Sequence, residues 1–366
     1  MTHSAMAAVA KTRDGPFTIE PVELDDLRPD EVLVRVEACG ICFTDLEAKH
    51  SLLPTPSVLG HEGAGVVEAT GASVTLVKPG DRVVVSYPYC GSCPNCAKRA
   101  FYHCDHAIGL EFGGSRLDGT KPVRLDGAPV VSAFFQQSTF ATRAITQERN
   151  LVVVPGSTPV ELMAALPCGV MTGAGTVLNV LDLKRNQGMI VVGTGAVGLS
   201  AVMTARIRGA DPIIAIDVVP ARLELARSLG ATHVINAREE DAVATMLAIS
   251  PRGIEAGLDT SGLLEGISTI IRSLAQGGKC AVVTVPPGNM DSFPLEELFM
   301  RAASLHSVFV GAAIANELLP QLLKWHAEGI FPVDRLVRTF DFTDINRAVE
   351  SMRSGQTIKA VLLMNQ

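Results

Sequence analysis

Met189-Ile190-Val191-Val192-Gly193-Thr194-Gly195-Ala196-Val197-Gly198 is the stretch whose reading decides the fold. It opens as a short apolar run, turns on glycines, and continues as an Ala-rich stretch to about Arg208. A buried strand, a tight turn and a helix are expected in that order. Glycines at this spacing also mark ordinary turns, so the context carries the reading. Pro212 to Asp217 forms a second apolar run, and Asp217 ends it nineteen residues after Gly198. That context matches the dinucleotide fingerprint. Gly193 permits the turn, Gly195 lets the backbone approach a pyrophosphate, and Gly198 lets helix and strand pack closely. Val197 lies in the same turn, where helix N-terminal amides face phosphates. Asp217 is placed to accept hydrogen bonds from the adenosine ribose, and its charge disfavours the extra phosphate of NADP; NAD is the expected cofactor.

Outward from this motif, Val219 to Leu229 reads as a helix. Strand-like pieces recur at His233-Val234-Ile235, Ala256 to Asp259, Cys280 to Val285 and Leu305 to Val310, separated by helix-like segments. Such alternation predicts an α/β domain with a doubly wound parallel sheet. The tail carries a helix-like Asn316 to Glu328 and an apolar strand from Ile358 to Met364. Toward the N-terminus the style changes. Ala5 to Ala38 and Gly63 to Val85 are short alternating or apolar runs broken by Asp14-Gly15-Pro16, Leu27-Arg28-Pro29-Asp30 and Pro79-Gly80-Asp81, which predicts a β-rich domain.

The totals agree with two such domains. The chain has 366 residues, 47% apolar and 19% charged, enough for two cores in a soluble protein. A net charge of -7 and a pI near 5.7 argue against nucleic acid or an anionic membrane as partner. Asn186 to Ala205 is uncharged and long enough to tempt a membrane-span reading, but its glycines at 188, 193, 195 and 198 describe a strand, a turn and a helix instead. Met1 to Ala10 lacks the charged-then-apolar build of a signal peptide, so a cytoplasmic protein is expected. Eight cysteines there would be kept reduced, and metal binding accounts for most of them.

Cys42 in Cys39-Gly40-Ile41-Cys42-Phe43-Thr44-Asp45, His61 in Gly60-His61-Glu62, and Cys168 in Leu166-Pro167-Cys168-Gly169 offer two thiolates and an imidazole. Three protein ligands leave the fourth position of zinc open, the catalytic arrangement. Cys90, Cys93, Cys96 and Cys104 fall as C-x2-C-x2-C-x7-C and can saturate a second, structural zinc, although the spacing alone leaves an iron-sulfur cluster open.

These motifs resemble the zinc-dependent medium-chain alcohol dehydrogenases over nearly the whole chain. Phe134 to Ala141 and Phe340 to Glu350 look most like the aryl (benzyl) alcohol dehydrogenases within that family. The resemblance implies a GroES-like catalytic domain of residues 1–171 and 313–366 carrying both zinc sites, and a Rossmann domain of residues 172–312. It implies a homodimer or homotetramer, and reversible hydride transfer between a small apolar alcohol, aromatic or allylic, and NAD. The Thr-Asp that follows makes Cys42 the ligand and leaves Cys39 a buried thiol. Thr44 resembles the hydroxyl that takes the alcohol proton; Glu47 stands where many members finish that relay with a histidine and could pass the proton to water, the slightly favoured reading being a solvated surface group. Glu62 is expected beside the metal's ligand shell and Asp45 on a ligand or backbone group. Thr172 corresponds to a residue beside the nicotinamide, and Lys359 to a basic residue reaching the pyrophosphate. Arg222 corresponds to a basic residue near the ribose, or is a solvated helix residue. Ser86, Phe134 and Phe135 correspond to pocket positions, against the plain reading of core packing. Within the family, a glutathione-dependent formaldehyde dehydrogenase or a terpenoid or aliphatic alcohol dehydrogenase is the alternative.

Overall fold

The computed structural model describes residues 3–286, 288 and 291–364. The chain divides into two compact units, one of Met1–Cys168, Ile314–Pro320 and Val333–Gln366, the other of Gly169–Ala313 and Gln321–Pro332. The helix Ala315–Ala327 therefore begins in the first unit and ends in the second.

The first unit is built on two sheets. The strand Glu31–Gly40 is the spine of the larger one, and its alternating valines pack inward with Val67, Val83, Val85 and Leu151. It pairs antiparallel with Gly63–Thr70 and Arg143–Gln147. The C-terminal strand Lys359–Leu363 pairs antiparallel with its end, Leu362 facing Cys39. That pairing brings the tail back to the loop that carries Cys42. The smaller sheet is organised by the pair His3–Ala10 and Phe17–Leu24.

The second unit is an α/β domain around a six-stranded parallel sheet. Its order is His233–Asn236, Ile213–Asp217, Met189–Val192, Ile254–Asp259, Leu274–Val282, Ser304–Ser307. The order reverses between Met189–Val192 and Ile254–Asp259, and ligands of open α/β sheets bind at the strand C-termini beside such a switch. The strand expected from Cys280 begins earlier, at Leu274. Its pairing with Ile254–Asp259 is interrupted between Ile254 and Ala256, so Gln276-Gly277-Gly278 is an irregularity within the strand. The strand expected over Leu305 to Val310 is Ser304–Ser307, and Val310–Ala312 is a single helical turn.

The uncharged run near residue 190 is a buried strand and helix, as expected. A different stretch, the helical run Val160–Val180, is long and apolar enough by composition to cross a membrane, yet 83% of its most apolar window is buried within the protein.

Candidate metal centres and dinucleotide site

Cys42 ends an extended segment and caps a short helix, Phe43–Glu47. Asp45 on that helix is fully buried and organises the loop. Its carboxylate accepts from the Cys42 amide (2.9 Å) and the Gly60 amide (3.1 Å), and lies 2.9 Å from Nδ1 of His61. One oxygen-bearing group thus ties both candidate ligand loops together and fixes the His61 tautomer, with Nδ1 donating and Nε2 left to act as a ligand. Nε2 lies 3.3 Å from Sγ of Cys168, and Cys42 Sγ lies 3.9 Å from the same sulfur.

The ligand atoms of Cys42, His61, Glu62 and Cys168 all lie within 4.8 Å of one another, a donor set of the soft-plus-imidazole kind that zinc favours. The hydrogen bond with Cys168 holds the Cys42 thiol well below its usual range and raises Cys168 well above it, the pattern of a thiolate beside a thiol. Burial acts to lower the His61 imidazole, but the charges of Asp45 and Cys42 outweigh it and raise it.

Glu62, next to His61, is fully buried. Desolvation pushes its carboxyl up to about 7, against the opposing charge of Lys359. The Lys359 ammonium is itself buried, pairs with that carboxylate, and donates to the Ile41 carbonyl (3.2 Å). Lys359, expected toward the cofactor, is thus bonded within the metal loop in this structure. Thr44 Oγ1 lies 3.5 Å from Cys42 Sγ. Glu47 is exposed and accepts from the Ser51 hydroxyl, and Phe43 is exposed. Cys39 is buried against Thr139 Oγ1 (3.2 Å), outside the donor cluster, and burial raises its thiol.

A wall of rings lies against this cluster. Phe135 stacks on His61 with centroids 4.5 Å apart, Phe134 meets its edge at 5.5 Å, and Phe112 contacts both phenyl rings. The segment that carries them is strained: Ala133, Phe135, Gln136 and Ser138 all have φ near +50°. Side-chain hydrogen bonds hold it. Gln136 Nε2 donates to the Ser115 carbonyl (2.9 Å), and Ser138 Oγ donates to the Val58 carbonyl (2.7 Å). Gln137 Nε2 donates to the carbonyls of His61 (3.0 Å) and Ser86 (3.3 Å). Gln137 therefore sets Ser86 beside His61, a role that sequence reading missed. Ser86 is buried, and its hydroxyl has no hydrogen-bond partner among the described residues.

The sulfurs of Cys90, Cys93, Cys96 and Cys104 likewise converge within 4.8 Å. Amides point at them: Cys93 N–H donates to Cys90 Sγ (3.3 Å), Cys96 N–H to Cys93 Sγ (3.4 Å) and Cys90 N–H to Cys104 Sγ (3.2 Å). Burial would raise the Cys90 thiol, but bonds from Ser92 and Cys93 bring it down to about 6. Four closely set sulfurs with donors aimed at them fit a saturated metal site.

In the second unit, Gly193 has φ +86°, and a Cβ there would lie 2.5 Å from Thr260 Oγ1; on Gly198 it would lie 1.9 Å from the Gly193 carbonyl. A Cβ on Gly195 would meet nothing within 4 Å, so open space lies over the middle glycine, where a ligand can approach the backbone. The helix Ala196–Arg208 starts at this turn, with Val197 half-buried in its first turn. Asp217 ends its strand and is itself held. Oδ2 accepts from the Thr194 amide (2.7 Å) and hydroxyl (2.6 Å), Oδ1 from the amides of Val218 (2.7 Å) and Val219 (3.0 Å). Thr194 was not singled out by sequence, although its place inside the glycine motif was the available signal. Arg222 is half-buried with its Nε lacking a partner among the described residues. Thr172 is buried, its carbonyl accepting from Thr176 Oγ1 (2.7 Å).

Two family descriptions match this chain: the alcohol dehydrogenase GroES-like domain over residues 28–156, and the zinc-binding dehydrogenase domain over residues 196–328. Geraniol dehydrogenase of Castellaniella defragrans is 40% identical over 98% of both chains. Benzyl alcohol dehydrogenase from Acinetobacter calcoaceticus superposes with a TM-score of 0.95 at 37% identity, over 99% of this chain and 100% of that one. An alcohol dehydrogenase zinc-binding domain protein from Burkholderia ambifaria does so at 0.97 and 41%, over the whole of both. With its donor clusters, its glycine turn and these relatives, the chain belongs to the zinc-binding medium-chain alcohol dehydrogenases.

Proposed function

We propose that the protein is an NAD-linked, zinc-dependent dehydrogenase of primary alcohols whose carbinol carbon is attached to an aromatic ring or a double bond. The convergence of Cys42, His61 and Cys168 within 4.8 Å, beside a ring wall, carries the reading. Bound there, zinc would supply Lewis-acid activation of an alcohol, and NAD would accept the hydride. The chain's own part is positional. Asp45 orients His61, and Phe135, stacked on His61, is the ring we place beside the substrate, whereas Phe134, set at 73° to it, is fully buried and backs it as core. The Thr44 hydroxyl takes the alcohol proton, and Glu47 is the exposed carboxylate through which it reaches water.

Cys90, Cys93, Cys96 and Cys104 would hold a second, structural zinc. On the cofactor side, the space over Gly195, the Asp217 carboxylate, the unpartnered Arg222 Nε and Thr172 support binding of NAD. Lys359, the basic residue proposed for the pyrophosphate, is paired with Glu62 and the Ile41 carbonyl here. A cytoplasmic location would keep the cysteines free for metal, and a homodimer or homotetramer is the expected assembly. The benzyl alcohol and geraniol dehydrogenases among the relatives support aromatic and allylic substrates, respectively.

The test is reduced-nicotinamide absorbance with benzyl alcohol and geraniol, each with NAD and with NADP, beside a Cys168→Ser variant. Turnover with NAD that is lost in a folded variant is expected. Inactivity on both alcohols refutes the substrate reading and moves the glutathione-linked alternative forward.

A further inference from the structure

Gln137 lies within the strained turn, between Gln136 and Ser138 at positive φ, yet its own φ is -144° and its side chain bonds mostly outside the turn. The carboxamide is 2% exposed and uses both of its ends. Nε2 donates to the carbonyls of His61 (3.0 Å) and Ser86 (3.3 Å), and Oε1 accepts from the Gly63 amide (3.2 Å) and the Thr139 hydroxyl (3.2 Å). Two donors and two lone pairs are all that a carboxamide has, so none is left over. Two of the four partners, His61 and Gly63, flank Glu62 in the metal loop. Backbone pairing holds the same loop on its other side: Thr139 N–H donates to the Gly60 carbonyl (2.9 Å) and Phe140 N–H to the Leu59 carbonyl (2.9 Å). There is no slack between the two segments, since a Cβ on Gly63 would lie 2.4 Å from Thr139 Cγ2. Two residues before Gln137, the Phe135 ring stacks on the His61 imidazole with centroids 4.5 Å apart. Asp45 fixes His61 from the ring side, through Nδ1, and Gln137 fixes it from the backbone side.

We propose that Gln137 is a positioning residue of the catalytic centre: its carboxamide clamps the His61 backbone to the turn bearing Phe135, so that the metal ligand and the ring stacked on it keep one fixed relation. It touches neither substrate nor metal and acts through His61 and Phe135. The inference rests on the zinc and flat-ring readings above and deepens them. Without the two donors, the buried carbonyls of His61 and Ser86 lose their shared partner and the loop relaxes toward other bonds. The imidazole then shifts against Cys168 Sγ, now 3.3 Å from Nε2, and Phe135 loses the face on which it lies. The turn's own strain works in the same direction. Positive φ at Phe135, Gln136 and Ser138 persists only while the surroundings over-determine it, and Gln137 is the tether among them.

The experiment uses the zinc-loaded protein and two variants. Gln137→Met nearly keeps the volume and removes every hydrogen bond, whereas Gln137→Glu keeps the acceptor for Gly63 and Thr139 and loses both donors. Competition with a chromogenic chelator gives the zinc affinity of each site, the four-cysteine site serving as the internal control. Steady-state rates with NAD give the ratio of kcat/KM for benzyl alcohol to that for cyclohexylmethanol, whose saturated ring matches in size but is not flat. Both variants should bind zinc at Cys42, His61 and Cys168 about ten- to a hundredfold more weakly, the usual cost of losing a group that orients a ligand, with the four-cysteine site unchanged. The benzyl preference should fall about two- to tenfold, the range that an aromatic pair contributes beyond its area. In a Phe135→Leu background, Gln137→Met should lower that ratio no further, because the two residues act as one unit. Wild-type zinc affinity in both variants, an equal loss at both zinc sites, an unchanged ratio, or an additive loss in the double variant overturns the clamp. Where one Gln137 variant does not fold, the other decides. Turnover of neither alcohol by the wild type overturns the flat-ring reading instead, and the zinc affinities then decide the clamp alone.

Discussion

Replacing Lys359 by methionine should damage the β-rich unit more than any surface substitution. The ammonium and the Glu62 carboxylate are both almost fully buried, and the ammonium's other bond goes to the Ile41 carbonyl. Such a pair adds little net stability, because desolvation of two charges offsets their attraction. Removing one partner is different, since the buried carboxyl left behind must either stay charged without its counter-ion or take up a proton; that costs about 3–5 kcal/mol. In a unit of this size each kcal/mol moves the melting midpoint by roughly 2–4 °C, so Lys359→Met should lose on the order of 10 °C in the transition of the β-rich unit. Because two units can melt separately, the assay is calorimetry of the zinc-loaded protein, with the transitions assigned beforehand. The double variant Glu62→Gln/Lys359→Met removes both charges and should recover more than about half of the loss, a coupling expected of contacting residues. If Lys359→Met melts within about 1 °C of wild type, or the double variant is no better than the single one, the pair does not act as a buried unit and the reasoning fails.

Other expectations follow from the remaining contacts. The Glu111 carboxyl, pushed up to about 7 from 4.5, holds a proton in the folded protein at pH values where the unfolded chain has lost it. Stability therefore falls as pH rises through that window, by up to about 3 kcal/mol; Glu111→Gln should flatten the profile in urea titrations between those pH values, and an unchanged slope refutes the assignment. Thr194→Val removes the hydroxyl donor to Asp217 and should weaken NADH binding about three- to tenfold while narrowing the preference over NADPH, read by nicotinamide fluorescence. Equal affinities in variant and wild type would make the contact irrelevant to binding. Cys104→Ser should lower the zinc content from two to one per chain and unfold the Cys90–Cys104 lobe, since structural zinc in small sites contributes about 10–16 kcal/mol of apparent binding energy. Two zinc ions in the variant would show that the four sulfurs do not act as one site.

The glycine turn was legible in the sequence because its spacing is local: Gly193 turns at positive φ, and a Cβ on Gly198 would meet the Gly193 carbonyl five positions back. The two cysteine groups were legible for a related reason, as soft ligands in a reduced chain have few other uses. What stayed hidden depends on distant pairing. Lys359 meets Ile41 across 318 positions because the last strand closes on the end of Glu31–Gly40, and no periodicity near residue 359 announces that neighbour. Gln137 looks like a polar interruption between Phe134 and Phe140; its carbonyl partners at His61 and Ser86 exist only once a strained turn is folded against the metal loop. Glu111 is the sharpest case. In sequence it is a lone acid between apolar Leu110 and Phe112, and the fold buries it. Local pattern reports what a residue prefers, whereas a substrate meets what the fold has imposed. A buried acid at Glu111, an orphan hydroxyl at Ser86 and a left-handed Phe135 are departures from local preference that only the fold imposes.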